Sequence, residues 1–138
     1  MADSNDFNTN VINEFRANAG IVGGPFEGAP MVLITTTGAK SGQPRTSPLV
    51  YLPDNDRVVI FASKAGAPTN PDWYHNLKAN PAVHVEVGTD AYDATAVEVT
   101  GTERDALFAA QVERMPGFQT YAESTSRVIP VIALERRA

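Results

Sequence analysis

Cysteine is absent from the 138-residue sequence, and histidine occurs only twice, as His75 and His84. The lack of cysteine excludes a disulfide scaffold, a thiolate nucleophile and a cysteine-ligated metal. The two histidines do not stand at the spacing of a metal-binding motif, so the sequence predicts no metal site. No GxSxG segment is present and no serine stands beside a histidine, so the sequence offers no hydrolase nucleophile.

Long apolar runs and an excess of positive charge are missing as well. No run approaches the ~20 residues that a membrane span needs, and the polar, acidic start MADSNDFNTN is unlike a signal peptide. We therefore expect a cytoplasmic protein. The net charge is −5 without a basic stripe along the chain, which argues against a nucleic-acid partner. When the chain is divided into residues 1–37, 38–64 and 65–138, bases outnumber acids only in the middle segment, which favours a small anionic ligand over a polymer.

Apolar periodicity and turn residues predict one domain, residues 1–138, with four helices and about six strands. The expected helices cover about 5–19, 71–80, 102–115 and 118–124. The expected strands form a barrel over about 31–136 and cover 31–36, 47–52, 57–63, 82–87, 91–100 and 128–134. The strands do not alternate strictly with helices, which disfavours a doubly wound parallel fold. The expected fold class is α+β, mainly β: a small barrel or curled, mostly antiparallel sheet with peripheral helices.

Prolines and capping residues give finer predictions about these elements. The first three strands should form an antiparallel meander, because short turns join them. Asn70 should be the N-cap of the second helix with Pro71 at its first position, and Thr102 should cap the third helix. Pro130 should place the last strand at an edge or a bulge of the sheet.

The turn between the first two strands, residues 37–45 (TGAKSGQPR), is the strongest candidate site. Lys40 and Arg45 stand five residues apart on a glycine-containing turn, so both can point at one anion. The backbone N–H groups of such a turn can converge on a phosphate. A solvated hairpin tip explains the same composition equally well, and from spacing alone both interpretations stay open.

A second candidate segment, residues 63–68 (SKAGAP), follows the third strand. Lys64 can reach the same anion if that strand lies beside the first two. The short helix beginning at Pro71 can add its N-terminal dipole, while Trp73 on this helix is more often a core residue than a stacking surface. Because no acid, base or nucleophile stands out, either the protein only binds its ligand or a bound cofactor carries the chemistry.

Three segments closely resemble the deazaflavin-dependent nitroreductase family: LITTTGAKSGQPRTSPLVYL, FASKAGAPTNPDWYHNLKANPAVHVEV and MPGFQTYAESTSRVIPVI. The family consists of small split-β-barrel oxidoreductases that use reduced coenzyme F420, and the resemblance extends over about residues 8–136. It implies a split barrel, similar to the FMN-binding split barrels, with the cofactor in a groove along the barrel. F420 carries a phosphodiester and a chain of glutamates, so a cationic segment in an acidic protein suits it.

The resemblance also implies which residues bind the cofactor. By position, Lys40 and Arg45 match the cations that hold its phosphate and acidic tail. Trp73 and Asn76 match motif positions of the short helix, with packing or support of the cofactor loop as their role. The full implied set is Lys40, Ser41, Gly42, Gln43, Pro44, Arg45, Ser47, Pro48, Ser63, Lys64, Ala65, Gly66, Trp73 and Asn76.

The acceptor side departs from nitro-reducing members of the family, some of which carry tyrosines along the substrate pocket. The corresponding positions here are Val50, Met115 and Phe118, while Tyr121 is retained. The implied catalytic residues are Ser63, which can hydrogen-bond a nitro or quinone oxygen, and Tyr121, which can orient the acceptor or donate a proton. The less polar pocket suits a quinone ring or another flat hydrophobic acceptor and leaves nitroreductase activity open.

The resemblance thus implies an F420-dependent oxidoreductase that transfers a hydride from the reduced deazaflavin to a quinone-like, nitroaromatic or other conjugated acceptor. Two alternatives stay open: a split-barrel flavoprotein that binds FMN, and a non-catalytic F420 binder. Split barrels often dimerise, so a homodimer is a further hypothesis. Peripheral membrane contact through the first helix is another hypothesis, because such contact would give access to a lipophilic quinone substrate.

Overall fold

One antiparallel sheet of seven strands dominates the computed structural model, which describes residues 2–23, 28–54, 57–63, 69–126 and 128–136. In chain order the elements are α1 (Ala2–Ala17), β1 (Met31–Thr37), β2 (Pro44–Val50), β3 (Leu52–Asp54), β4 (Arg57–Phe61), α2 (Asp72–Ala79), β5 (Ala82–Val87), β6 (Asp90–Val99), α3 (Gly101–Arg114), α4 (Gly117–Glu123) and β7 (Val131–Arg136). The order across the sheet is β2-β1-β5-β6-β7-β4-β3, and all neighbours are antiparallel.

The two edge strands of this sheet, β2 and β3, are consecutive in the chain and are separated by a single residue, Tyr51. β2 pairs with β1 along its whole length, whereas β3 pairs with β4, beginning at Leu52↔Val59. One residue cannot connect the opposite edges of a flat seven-stranded sheet, because neighbouring strands lie ~4.8 Å apart. The sheet is therefore strongly curled, and residues 44–54 act as one bent strand that closes it.

This architecture confirms the predicted fold class, a curled antiparallel sheet with peripheral helices. Seven strands are found instead of about six because Tyr51 divides the expected strand 47–52 into β2 and β3. The first three expected strands do pair in antiparallel succession, since β1 pairs with β2 and β3 pairs with β4. What the prediction lacked is the bend at Tyr51, which divides the second expected strand and carries β3 to the other edge of the sheet.

Two predicted helix starts are also wrong by one or two residues. α2 has Pro71 as its N-cap instead of Asn70, and α3 has Thr100 as its N-cap instead of Thr102. Neither N-cap makes a side-chain capping hydrogen bond. Gly101 adopts a φ of +66°, a left-handed conformation that glycine accepts without strain, and this allows β6 to turn directly into α3.

Pro130 does not mark an edge strand, because β7 lies between β6 and β4 in the interior of the sheet. The proline stands immediately before the first residue of β7, and its carbonyl oxygen accepts a hydrogen bond from the N–H of Ala62 at 3.0 Å. Proline has no N–H to donate, so its position just outside the strand leaves the donors of β7 intact.

Both faces of β4 and β7 are buried over Val58–Phe61 and Val131–Leu134, which explains why these stretches are continuously apolar. One face of the sheet packs against α2 in a cluster that includes Val32, Ile34, Val58, Ile60, Trp73, Leu77, Val85, Ile132 and Leu134. On the opposite face α3 and α4 cover β4 and β7, and α1 covers β1. No helix within the described ranges, α1 included, is long and apolar enough to cross a bilayer.

An ion pair fastens α1 to the sheet: Arg16 Nη2 lies 2.8 Å from Glu86 Oε2 on β5. The hydrogen bond from Arg16 holds the pKa of the Glu86 carboxyl below its usual value, against an opposing effect of burial. A carboxyl with a lowered pKa stabilises the fold above the pKa that it has in the unfolded chain. This stabilisation is lost as the pH falls through the lowered, folded-state pKa.

We expect Arg16→Ala to lower the free energy of unfolding at pH 7 by about 0.2–1 kcal/mol, a small effect because the guanidinium is half exposed. In urea melts at decreasing pH, the difference from wild type should shrink as Glu86 becomes protonated. Glu86→Gln is the matched variant and should lose the same increment, with nothing further lost in the double variant. A deficit that stays constant into acid would contradict the role of this pair.

Candidate functional site

A groove of about 1050 Å³ lies between the β1–β2 turn, the start of β2, α2 and α1. Its lining residues are Thr9, Ile12, Gly38, Ala39, Lys40, Ser41, Pro44, Arg45, Thr46, Ser47, Asp72, Trp73, His75 and Asn76. The groove thus brings together seven of the predicted cofactor-binding residues: Lys40, Ser41, Pro44, Arg45, Ser47, Trp73 and Asn76. Gly42, Gln43 and Pro48 belong to the same turn and strand without lining the groove.

The other predicted cofactor-binding residues belong to the segment after β4. Ser63 is half-buried and stands two residues beyond the end of the strand. Lys64, Ala65 and Gly66 lie outside the described residues. Lys64 was expected to reach the same anion if the strand before it lay beside the first two strands. That strand, β4, does not pair with β1 or β2.

The β1–β2 turn is tight and hydrogen-bonded within itself. The N–H of Gly38 donates to the Gln43 carbonyl oxygen at 2.8 Å, and the N–H of Gly42 donates to the Gly38 oxygen at 3.0 Å. The N–H of Gln43 donates to the Ser41 hydroxyl at 3.1 Å. A Cβ on Gly38 would lie 2.5 Å from that hydroxyl oxygen, so a larger residue would displace the Ser41 hydroxyl from its hydrogen bond with Gln43. Because these three amides are already used, the cationic side chains are the principal anion-binding groups of the turn.

Asn76 of α2 holds this turn against the sheet. Its Oδ1 accepts a hydrogen bond from the N–H of Ala39 at 2.9 Å, and its Nδ2 donates to Thr36 Oγ1 at 3.3 Å. Thr36 is buried, so the amide connects the exposed turn to the interior. Trp73, three residues earlier on the helix, is 7% exposed and packs in the core cluster, which fixes α2 in position.

The two cations of the groove, Lys40 and Arg45, have no ion-pair partner among the residues that the structure describes. Of the described basic residues, those that do pair with a carboxylate are Arg16, Arg57, Lys78, Arg104 and Arg136. Asp72 contributes one carboxylate to the groove lining against these two cations. The groove therefore presents uncompensated positive charge in a protein whose net charge is −5.

The predicted catalytic residue Tyr121 belongs to a cluster of aromatic rings that connects α4 to β4. The ring of Phe118 contacts Phe61 edge-on, with centroids 5.8 Å apart, and Tyr121 edge-on at 5.1 Å. Tyr121 is half-buried in this position, and Ser63 follows Phe61 by two residues. Val50, another predicted residue of the substrate pocket, is half-buried and packs against the buried cluster beneath α1.

A second cavity, of about 440 Å³, is lined by Gly28, Ala29, Pro30, Gln111, Arg114 and Met115. Met115 is a predicted pocket residue, whereas Gln111 was missed by the sequence reasoning. The signal for Gln111 was present, because it is a polar residue on the stripe of α3 that carries Leu107 and Phe108 and continues to Met115. A glutamine at a core-facing position of an amphipathic helix indicates either a satisfied core amide or a binding group.

Known proteins share this chain's sequence and fold. A family model described as F420H(2)-dependent quinone reductase matches residues 8–136. An F420H(2)-dependent quinone reductase of Mycobacterium tuberculosis is 42% identical over 127 residues, which cover 89% of this chain and 85% of the relative. A solved structure described as an F420-H2 dependent reductase (FDR-A) is 45% identical with a TM-score of 0.71, and the match covers 77% of this chain and 94% of that one. Another, described as a domain-swapped dimer, is 45% identical with a TM-score of 0.72, covering 77% and 80%.

Proposed function

The chain belongs to the F420H(2)-dependent quinone reductase family, and we propose that it reduces quinone-class acceptors with a hydride from the reduced deazaflavin coenzyme F420. The family, the cofactor and the enzyme class expected from the sequence are thereby confirmed. We also propose which residues bind the cofactor and which contact the acceptor.

The two uncompensated cations of the groove are the observation that supports our proposed position for the cofactor. F420 has a phosphodiester and a tail of glutamates, so a site for it needs positive charge that is not already neutralised. Lys40 supplies a compact point charge and Arg45 a planar donor that can bind two oxygens at once. We assign the anionic part of the cofactor to the turn that carries these two residues, since the groove of about 1050 Å³ beside it fits the group in size and charge.

When bound, reduced F420 supplies a hydride, and the acceptor must also take up a proton to complete a two-electron reduction. The protein contributes binding, orientation and proton supply. Asn76 holds the turn with its cations in one geometry. We assign the donation of a hydrogen bond or a proton to an acceptor oxygen to the hydroxyl of Tyr121, whose ring packs edge-on against Phe118, with Ser63 as a second contact.

The decisive experiment is a fluorescence titration of the purified protein with oxidised F420, run in parallel with FMN, followed by turnover assays with F420H2. We expect saturable F420 binding that weakens with added salt, together with reduction of 2-methyl-1,4-naphthoquinone. Tight FMN binding without F420 binding would overturn the proposal in favour of a flavoprotein. F420 binding without turnover of any quinone or nitroaromatic would leave a non-catalytic binder.

Asn76 gives a prediction about the effect of the β1–β2 turn on cofactor affinity. Asn76→Ala removes the hydrogen bonds to Ala39 and Thr36, so the turn should sample more conformations. Because each lost hydrogen bond is worth about 0.5–1.5 kcal/mol, we expect F420 to bind roughly 5–10-fold more weakly. Titration of F420 into the variant measures this, with Asn80→Ala at the end of the same helix as control. Equal affinity in the Asn76 and Asn80 variants would reject the supporting role.

We also propose that the chain forms a homodimer, on the support of its similarity to the solved structure described as a domain-swapped dimer. Size-exclusion chromatography with light scattering at micromolar and higher concentrations tests this directly. A monomer mass at all concentrations would reject it. Cytoplasmic location and peripheral membrane contact stay predictions.

A further inference from the structure

The second cavity contains a buried polar atom that lacks a partner. Gln111 is 1% exposed, and its Oε1 has no hydrogen-bond partner within the described part of the chain. Its Nε2 donates to the sulfur of Met115 at 3.5 Å, and a thioether is a weak acceptor. Buried amides are normally fully hydrogen-bonded, because an unpaired one is destabilising. A ligand that completes the hydrogen bonds of Gln111 would explain why glutamine occupies this position.

Arg114 gives the same cavity a second unused group. It lines the cavity and has no ion-pair partner among the described residues. Arg104 on the same helix, by contrast, pairs with Asp105 at 3.1 Å and donates to the Ile129 carbonyl oxygen at 2.8 Å. Among the described residues, the rest of the lining is small or apolar: Gly28, Ala29, Pro30 and Met115. The cavity therefore combines an apolar wall with a buried amide and a cationic donor, and its volume of about 440 Å³ suits a small ring system.

Two lining residues of the cavity share hydrophobic clusters with predicted acceptor-pocket residues. Ala29 packs against the same buried cluster as Val50. Met115 is itself a predicted pocket residue and packs in the cluster with Phe118 and Tyr121. The cavity therefore adjoins both clusters in which the predicted acceptor-pocket residues pack.

We propose that this cavity binds the ring of the quinone-class acceptor, with Gln111 and Arg114 donating hydrogen bonds to its oxygens in addition to the contacts proposed for Tyr121 and Ser63. The inference rests on the proposed function. A quinone can only accept hydrogen bonds, so Nε2 of Gln111 and the guanidinium of Arg114 donate to it. The quinol product carries O–H groups, which the unpartnered Oε1 accepts. A side-chain amide can serve both the oxidised and the reduced ring, which a carboxylate or an ammonium group cannot.

The test is a calorimetric titration of 2-methyl-1,4-naphthoquinone into the full chain, with and without oxidised F420, on wild type, Gln111→Met and Arg114→Met. We expect about tenfold weaker quinone binding in each variant, with a matching rise in KM and unchanged F420 affinity. Gln111→Met should also raise Tm, because it removes the buried unpaired oxygen at nearly constant volume. Gln119→Met, an exposed glutamine on α4, is the matched control and should change none of these quantities.

The outcomes separate this inference from the proposed function. If wild type reduces the naphthoquinone but both cavity variants keep its affinity and KM, the cavity is not the acceptor site. If Gln111→Met lowers Tm and leaves quinone binding unchanged, Gln111 is a structural amide and the inference is overturned. If wild type binds no quinone in either titration, the cavity assignment also fails. If wild type does not bind F420, the proposed function is rejected. In that case the quinone titration without F420 still shows whether the cavity binds the quinone.

Discussion

The double variant Lys40→Ala, Arg45→Ala should bind oxidised F420 about 100-fold or more weakly than wild type, with an unchanged Tm. Hydrogen bonds to charged groups are worth about 1.5–3 kcal/mol each, so the loss of both anchors reaches two orders of magnitude. Both residues are exposed and unpaired within the described structure, so their removal leaves no buried carboxylate without a partner. The effect should therefore appear in cofactor affinity and KM for F420H2, and not in folding.

Two further variants make this prediction specific. Arg45→Lys keeps the charge but loses the planar, two-pronged donor, so its affinity should lie between those of wild type and the double variant. Arg136→Ala removes an exposed cation of β7 that pairs with Asp90, and it should leave F420 binding unchanged. The dependence of affinity on salt should also be weaker in the double variant. Wild-type affinity in the double variant would show that the anionic tail of F420 does not bind at this turn.

Trp73→Ala should lower the free energy of unfolding by about 3–5 kcal/mol, the usual cost of removing a large buried aromatic side chain. The indole is 7% exposed and packs with Val32, Ile34 and Leu77, and it fixes the helix that carries Asn76. A domain of this size is stabilised by about 5–15 kcal/mol in total, so the variant should lose a large share of its stability. Urea melts followed by circular dichroism measure this, because the sequence has no other tryptophan for fluorescence.

Trp73→Phe distinguishes the core role from direct contact with the cofactor. It keeps an aromatic ring in the core and should cost clearly less than the alanine substitution. F420 affinity should stay close to wild type, since the anion contacts come from Lys40 and Arg45. A folded phenylalanine variant with wild-type Tm and strongly weakened F420 binding would instead identify the indole as a cofactor contact.

The fold class and the charged turn could be predicted from local sequence because both depend on neighbouring residues. Apolar runs and turn residues located six of the seven strands, and the cations Lys40 and Arg45 drew attention to a turn that lines the groove. Strand pairing was predicted less well. The bend at Tyr51 carries no glycine, proline or polar signal of its own, so the separation of β2 from β3 could not be read from the chain.

Local sequence also did not predict which groups at the site form hydrogen bonds with each other. The backbone N–H groups of the turn were expected to be able to converge on a phosphate, but three of them, those of Gly38, Gly42 and Gln43, form hydrogen bonds within the turn. The support that Asn76 gives to Ala39 joins positions 37 residues apart in sequence. Such contacts depend on how α2 packs against the sheet, which the periodicity of the helix alone does not determine.

The position of β7 has a consequence for how the chain acquires its structure. β7 is the last of the seven strands in sequence, yet it lies between β6 and β4 and joins the sheet's two parts. Until it is in place, β4 pairs only with the short strand β3, and the pair Phe61↔Val131 must form across about 70 residues. Contacts so distant in sequence make folding slow. During synthesis the barrel therefore stays open, with the unpaired edges of β4 and β6 exposed to other chains until the final strand emerges.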